Sequence, residues 1–264
     1  MRMTDNTILI TGGTSGIGLE LAQQFIALGN DVIVVGRNPA RLDALRVSHP
    51  KLHVLRGDVG DPRSVAALYE QVAGAFPALN VLVNSAGIMR KIDLQRPDFD
   101  LADVTREVEA NLNGTIWMDV QFLAHLKQKQ NAAIVNVSSG LAFVPMPIAP
   151  VYCATKAAIH AFTLSLRVQL RNTPVKVFEL APPGTDTPLF HGEFAADDGG
   201  GIKPMAVDVL ARHAIDGMRR DVLEIRPGLA NVLKLGSRIA PNFMLAQTSR
   251  SVDAMHGNAG SRRA

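Results

Sequence analysis

Seven short runs rich in β-branched residues recur along the chain: Thr7–Thr11, Asp31–Val35, Leu52–Arg56, Val81–Asn84, Ala132–Val137, Val175–Leu180 and Val222–Ile225. Segments of helical periodicity lie between them. Ile17, Leu21, Phe25 and Leu28 form one amphipathic stripe; Val104, Val108, Leu112 and Ile116 form a second; Ala154, Ala158, Phe162, Leu166 and Leu170 form a third. Pro62, just after Asp61, suits the first position of a helix. Strand–helix alternation predicts an α/β fold with a parallel sheet and right-handed crossovers. Continuous apolar runs such as Val32-Ile33-Val34-Val35 predict strands buried on both faces. A chain of 264 residues allows one or two domains at about 150 residues each. No linker or repeat interrupts the alternation, so residues 1–250 read as one domain. The irregular segment 188–204, with Asp197-Asp198-Gly199-Gly200-Gly201, reads as a flexible substrate lid. The small, polar segment 251–264 reads as a flexible C-terminal tail.

Several function classes drop out. Lys and Arg number 27 against 24 Asp and Glu, an excess of +3 that is too small for a nucleic-acid footprint. Cys153 is the one cysteine, so neither an intrachain disulfide nor a cysteine zinc site is expected. The seven histidines show no HExxH spacing, and no metal is expected. The opening residues lead into only three strong apolar residues, Ile8 to Ile10, too few for a signal-peptide core. No run approaches the ~18 apolar residues of a membrane helix. A cytoplasmic protein without a membrane partner is expected.

Thr11-Gly12-Gly13-Thr14-Ser15-Gly16-Ile17-Gly18 joins the first strand to the first helix. Gly12, Gly16 and Gly18 permit a tight turn and close approach of backbone to a pyrophosphate, which the free N–H groups of the helix start would bind. The GxxxGxG spacing is neither GxGxxG nor a P-loop, and a glycine-rich turn that binds nothing remains the plain alternative. Arg37, nineteen residues after Gly18, ends the second strand where an acid would bind a ribose 2′-OH. With no acid at 36–38, Arg37 suits a 2′-phosphate, favouring NADP(H) over NAD(H). Otherwise it is an exposed residue opening the next helix. Asp58 is either an acceptor for an adenine amino group or a helix-entry turn residue.

Tyr152 and Lys156 are one turn apart at the start of a helical segment and face one side. A free tyrosine titrates near ~10, too high for a base at neutral pH. An ammonium ~4 Å away at an effective dielectric of ~20 favours the phenolate by roughly 4 kcal/mol, about 3 pK units, before desolvation is subtracted. Ser139, thirteen residues before Tyr152, ends the fifth strand, where ligands of open α/β sheets bind. Its hydroxyl can polarise a carbonyl oxygen, or it is a plain strand-end serine. Asn111 sits mid-helix, either facing solvent or buried to hold a water that links Lys156 to solvent.

Taken together the chain resembles the short-chain dehydrogenase/reductase family in its single-domain branch. The glycine loop, Asn84-Ser85-Ala86-Gly87, Asn111, Ser139, Tyr152-Cys153-Ala154-Thr155-Lys156 and Pro183-Gly184 match in order and spacing over residues 5–235. Leu141-Ala142-Phe143-Val144-Pro145-Met146 and Glu179-Leu180-Ala181-Pro182-Pro183 are similar to its DltE-like subgroup. The resemblance implies a Rossmann-type doubly wound parallel sheet of about seven strands flanked by helices. It implies an NADP(H)-dependent oxidoreductase acting on a small alcohol or carbonyl, with Asn111, Ser139, Tyr152 and Lys156 as catalytic tetrad. Gly12, Thr14, Ser15, Gly16, Ile17, Gly18, Arg37, Asp58, Val59, Asn84, Ala86, Gly87, Tyr152, Lys156, Pro183, Gly184 and Thr187 would contact the cofactor. Asn84 would support the phosphate loop. Ser85 stands where a second Asn is usual, and Thr187 follows Gly184 by three residues rather than four, leaving Thr185 as a rival. A homodimer or homotetramer formed through paired helices, with 152–172 as a candidate, is the implied assembly. The competing functions are a non-catalytic NADP(H) sensor and an NAD(P)-retaining epimerase or dehydratase. Leu141, Phe143, Met146, Leu189, Phe190 and Met205 are candidate pocket residues. Arg90 and Lys91 read as a solvated basic pair, Cys153 as packing, and His160 as helix surface or core.

Overall fold

The computed structural model describes residues 1–194 and 203–260. Its elements are β1 (Thr7–Thr11), α1 (Gly16–Ala27), β2 (Asp31–Gly36), α2 (Pro39–Ser48), β3 (His53–Arg56), α3 (Pro62–Ala75) and β4 (Leu79–Asn84). Then follow α4 (Leu101–Val104), α5 (Gly114–Leu126), β5 (Ala133–Val137), α6 (Pro150–Gln169), β6 (Lys176–Leu180), α7 (Val207–Arg219), β7 (Glu224–Ile225), α8 (Leu229–Ile239) and α9 (Pro241–Gly260). The seven strands pair in the order β3-β2-β1-β4-β5-β6-β7, every pairing parallel. The chain order reverses between β1 and β4, and a crevice opens there beyond the strand ends.

Alternate residues of each strand feed two apolar layers. Ile8, Ile10, Val32 and Val34 pack with Phe25 of α1, Leu42 of α2 and Leu210 of α7. Leu9, Ile33 and Leu82 pack with Leu68 of α3, Phe122 of α5 and Leu166 of α6. Both faces are covered, which is why β1 is buried along its length. Asn38 and Asp61 cap α2 and α3 by accepting from the backbone N–H groups of Arg41 and Arg63, with Pro39 and Pro62 at the first helical positions.

Two expectations change. The stripe from Val104 to Ile116 is not one helix: α4 stops at Val104, and a π-helical turn spans Val108–Asn113 before α5. The buried face here is polar, Glu107, Asn111, Thr115 and Asp119. In α6 the inward face is Tyr152, Lys156, Ile159, Thr163 and Leu166, whereas Ala154 is exposed. Apolar periodicity misplaces both faces because the inward sides carry the polar groups of a site. Residues 251–260 form the last part of α9, and Ser251 is buried. Residues 195–202 of the expected lid and 261–264 of the expected tail lie outside the described residues.

Candidate active site

The loop after β1 turns at Gly12, whose φ of +66° is left-handed and whose added Cβ would stand 2.7 Å from the Ala86 Cα. A Cβ on Gly18 would meet the Gly12 carbonyl oxygen at 2.6 Å. The β1 and β4 loops are joined by Thr11, whose Oγ1 accepts from the N–H groups of Ser85 and Ala86, each at 3.2 Å. Beside this junction lies a cleft of about 520 Å³. Gly12, Thr14, Ser15, Gly16, Ile17 and Gly18 form one wall, and Arg37, Asp58, Val59, Ala86 and Gly87 another. Tyr152, Lys156 and Thr187 close its inner end. Bare glycine backbone at a helix start, with a cation at the far end, fits a phosphate-bearing dinucleotide.

Arg37 is 58% exposed, its guanidinium 3.8 Å from the Asp58 carboxylate. Asp58 also accepts from the Gly60 N–H at 3.0 Å, so it is both a turn residue and a cleft wall. Asn38 and Arg41 line the same end, and Arg41, one helical turn after Arg37, adds a second cation for which no sequence motif exists. Asn84 is not in the cleft. Its amide nitrogen donates inward to Asp119 and Asn136, and the phosphate loop is supported by Thr11 instead. Pro183 and Gly184 line a neighbouring cavity, whereas Pro182 borders both. Thr187 faces the phosphate loop, with its Cβ 3.3 Å from where a Cβ on Gly16 would stand; Thr185 turns its hydroxyl to the Pro183 carbonyl.

Ser139, Tyr152 and Lys156 meet where the two cavities join. Ser139 caps the short turn Gly140–Ala142, its Oγ accepting from the Leu141 N–H at 3.1 Å, which leaves its own hydrogen to donate. Tyr152 is 6% exposed, and burial pushes its phenol above the ordinary value, against a lowering hydrogen bond with Ser139. Lys156 Nζ lies 5.6 Å from the Tyr152 ring centre and donates to the Val137 carbonyl at 2.8 Å. Burial lowers the ammonium to about 8. The expected cation-driven drop of Tyr152 towards neutrality is therefore not seen, because the ammonium is turned to a carbonyl and both groups are desolvated. Asn111 is fully buried, as one reading required. Its amide hydrogens go to the Ile88 carbonyl and Thr155 Oγ1, and its oxygen accepts from the Ile88 N–H. It holds the loop behind Gly87 and has no amide hydrogen left for a relay water.

A buried polar layer supports this site. Asp119 accepts from Asn84 at 2.6 Å and Asn136 at 2.9 Å, and burial outweighs these bonds to raise its carboxyl to about 7. The folded state thus holds this proton more tightly than the unfolded chain. Its stabilising share is complete below about pH 4 and is lost as pH rises to about 7. Asp119→Asn pairs an amide with an amide donor and costs about 1–3 kcal/mol at low pH. Calorimetric Tm values from pH 4.5 to 7.5 should show the gap to wild type narrowing; a constant gap would refute the assignment.

Glu179, fully buried, accepts from Ser138 Oγ at 2.5 Å and pairs with His160 Nδ1 at 2.8 Å. His160 is thereby neither plain surface nor apolar core. With Glu224 these side chains gather within 4.8 Å, a cluster invisible in linear spacing, but Glu224 is already engaged by Lys234 and Arg226. Arg90 is no solvated cation: it bonds Asp103 at 2.9 Å and lies 3.8 Å from the buried Glu107. Cys153 is buried among packing contacts and its thiol is pushed up to about 11.

The second cavity, about 370 Å³, opens from Ser139 and Tyr152. Leu141, Met146, Leu189 and Phe190 line it as expected. Phe143 instead packs on His160, and Met205 pairs by backbone with Thr185 and Gly184. Met89, Leu229, Leu233, Met244, Gln247 and Arg250 line it unforeseen, since α8 and α9 carry no motif.

The family profile described as short chain dehydrogenase matches residues 6–198. The uncharacterized oxidoreductase DltE of Bacillus subtilis is 44% identical over 225 residues, covering 85% of this chain and 89% of that protein. Sulfoacetaldehyde reductase 2 of Chromohalobacter salexigens is 32% identical, covering 83% and 85%. Among solved structures, a short chain dehydrogenase from Burkholderia cenocepacia in complex with NADP superposes with a TM-score of 0.80 at 23% identity, covering 94% of this chain and 99% of that one. One from Burkholderia phymatum in complex with NAD gives 0.78 at 21%, covering 89% and 94%. The chain belongs to the short chain dehydrogenase family, and it is an oxidoreductase of CH–OH and C=O groups.

Proposed function

We propose that the protein is an NADP(H)-dependent oxidoreductase that interconverts a small alcohol and carbonyl, with Tyr152 as general acid and base. The observation that carries this reading is the position of Tyr152 in the wall shared by the nucleotide cleft and the second cavity, beside Ser139 and Lys156. When bound, the nicotinamide supplies or accepts the hydride. Ser139 donates its hydroxyl hydrogen to the substrate oxygen as charge develops there. Tyr152 delivers a proton to that oxygen in reduction and removes it in oxidation. Burial raises its phenol above the ordinary value, which favours the protonated form that reduction needs. Lys156, its ammonium 5.6 Å from the Tyr152 ring centre and on the cleft wall, would hold a ribose hydroxyl of the cofactor. Asn111 positions the loop that carries Gly87.

Arg37 and Arg41 at the open end of the cleft support a 2′-phosphate ligand and hence NADP(H). A panel of carbonyls and alcohols, each offered with NADPH or NADP and with NADH or NAD, tests the reading by nicotinamide absorbance. Turnover favouring the phosphorylated cofactor is expected. Binding of both cofactors without any turnover would leave a sensor instead.

Val120 on α5 and Leu164 and Val168 on α6 are exposed apolar residues, which supports an assembly through these helices. Light scattering should give a mass of two or four chains of 28.3 kDa; a monomer would refute it. No helix among the described residues is long and apolar enough to cross a membrane. A single buried thiol and a nicotinamide chemistry fit the reducing cytoplasm, and cell fractionation checks that location.

A further inference from the structure

We propose that the substrate of this site is an apolar, extended carbonyl compound: a medium-chain or aryl-bearing aldehyde or ketone. The inference rests on the reading of the site as a carbonyl–alcohol centre and goes on to its ligand. The reacting carbon sits at Ser139 and Tyr152, and the hydrocarbon body runs into the cavity of about 370 Å³ under α8 and α9. Leu141, Met146, Phe190, Leu233 and Met244 surround that space with hydrocarbon and thioether. Most of the wall is apolar, so a polar body placed there would exchange its water for the few partners that Gln247, Thr248, Ser251 and Arg250 offer, whereas an apolar one gains by leaving water.

Charge distribution points the same way. Among the described lining residues Arg250 is the one charged side chain, and it is exposed, on α9. The other nearby cation, Lys156, is held on the Val137 carbonyl and faces the nucleotide cleft. A short anionic carbonyl would draw on a cation beside its reacting carbon, and the two side chains placed at that end of the chamber, Ser139 and Tyr152, are neutral hydroxyls. The catalytic turn is fixed to the chamber: a Cβ on Gly140 would stand 2.9 Å from Leu233 Cδ1, so α8 presses on the turn that Ser139 caps. Met89, Met146 and Met244 give the walls adaptable thioethers, which suit both straight chains and rings.

The test is the series of straight aldehydes from acetaldehyde to decanal with NADPH, with glyoxylate and sulfoacetaldehyde as short anionic comparators. Each buried methylene should raise kcat/KM up to about fourfold, equivalent to ~0.8 kcal/mol, until the chamber is full. Octanal should then exceed propanal by roughly 50-fold or more. In parallel, calorimetry measures binding of octanamide and propanamide to the protein with NADPH present, a readout that needs no turnover. Leu233→Asn should pull the octanal-to-propanal ratio towards one. A flat or falling series, or faster turnover of glyoxylate or sulfoacetaldehyde, overturns the substrate class and leaves the carbonyl reading standing. Length-graded amide binding without turnover of any carbonyl overturns the reductase reading and leaves the apolar ligand class standing. Neither turnover nor amide binding overturns both.

Discussion

Tyr152→Phe should slow turnover by about 10³-fold or more while changing NADPH affinity by no more than about threefold, in the 10²–10⁴ range of a lost general acid. The ring of Tyr152 fills part of the wall between two cavities, and Phe keeps that filling. What disappears is the phenol proton, and no other described side chain at the junction of the cavities can replace it. Ser139 is a weak acid whose oxygen is tied to the Leu141 N–H, and Lys156 is turned to the Val137 carbonyl. Residual rate would come from hydride positioning and from polarisation by Ser139. Steady-state rates and fluorescence titration of NADPH separate the two effects. A Phe variant within about tenfold of wild type would remove Tyr152 from proton transfer.

Arg37→Ala should weaken NADPH binding by about 10–100-fold, the 1.5–3 kcal/mol of a charge-assisted contact, and leave NADH nearly unchanged. The side chain lies 3.8 Å from the Asp58 carboxylate, a weak and exposed pair that a dianionic phosphate can displace. Its own hydration and the nearby Asp58 charge keep the expected loss at the modest end. Arg41 lines the same end of the cleft, so the double variant Arg37→Ala/Arg41→Ala should reverse the cofactor preference. Isothermal titration with both nucleotides reads this directly. An unchanged NADPH-to-NADH ratio in the double variant would end the argument for a 2′-phosphate site.

Strands and loops were more legible in the sequence than helix faces. Val32 to Val35 announced a buried strand because alternate residues of it are buried in the apolar layers on the two faces of the sheet. The glycine loop was legible because Gly12 and Gly18 meet backbone where no side chain fits. The inward faces of the segment 107–126 and of α6 were misread, since their buried positions include Glu107, Asn111, Asp119 and Lys156, and apolar periodicity assigns such residues to solvent. The partners of Asn84, Asp119 and Asn136, were not legible beside its motif because they come from distant sequence. The walls from α8 and α9 had no signal at all: a cavity lining is a property of how helices are docked, and Leu233 or Met244 reads as ordinary apolar surface until that docking is known.

The two cavities draw on different stretches of the chain. The nucleotide cleft is built mainly from residues between Gly12 and Ala110, and the chamber mainly from residues between Ser139 and Ser251, with Ile17, Tyr152, Pro182, Thr187 and Leu189 common to both. Divergence can therefore proceed piecewise. Descendants of such a chain can exchange one substrate for another by drift in the second half of the sequence, while the nucleotide preference set in the first third is inherited unaltered.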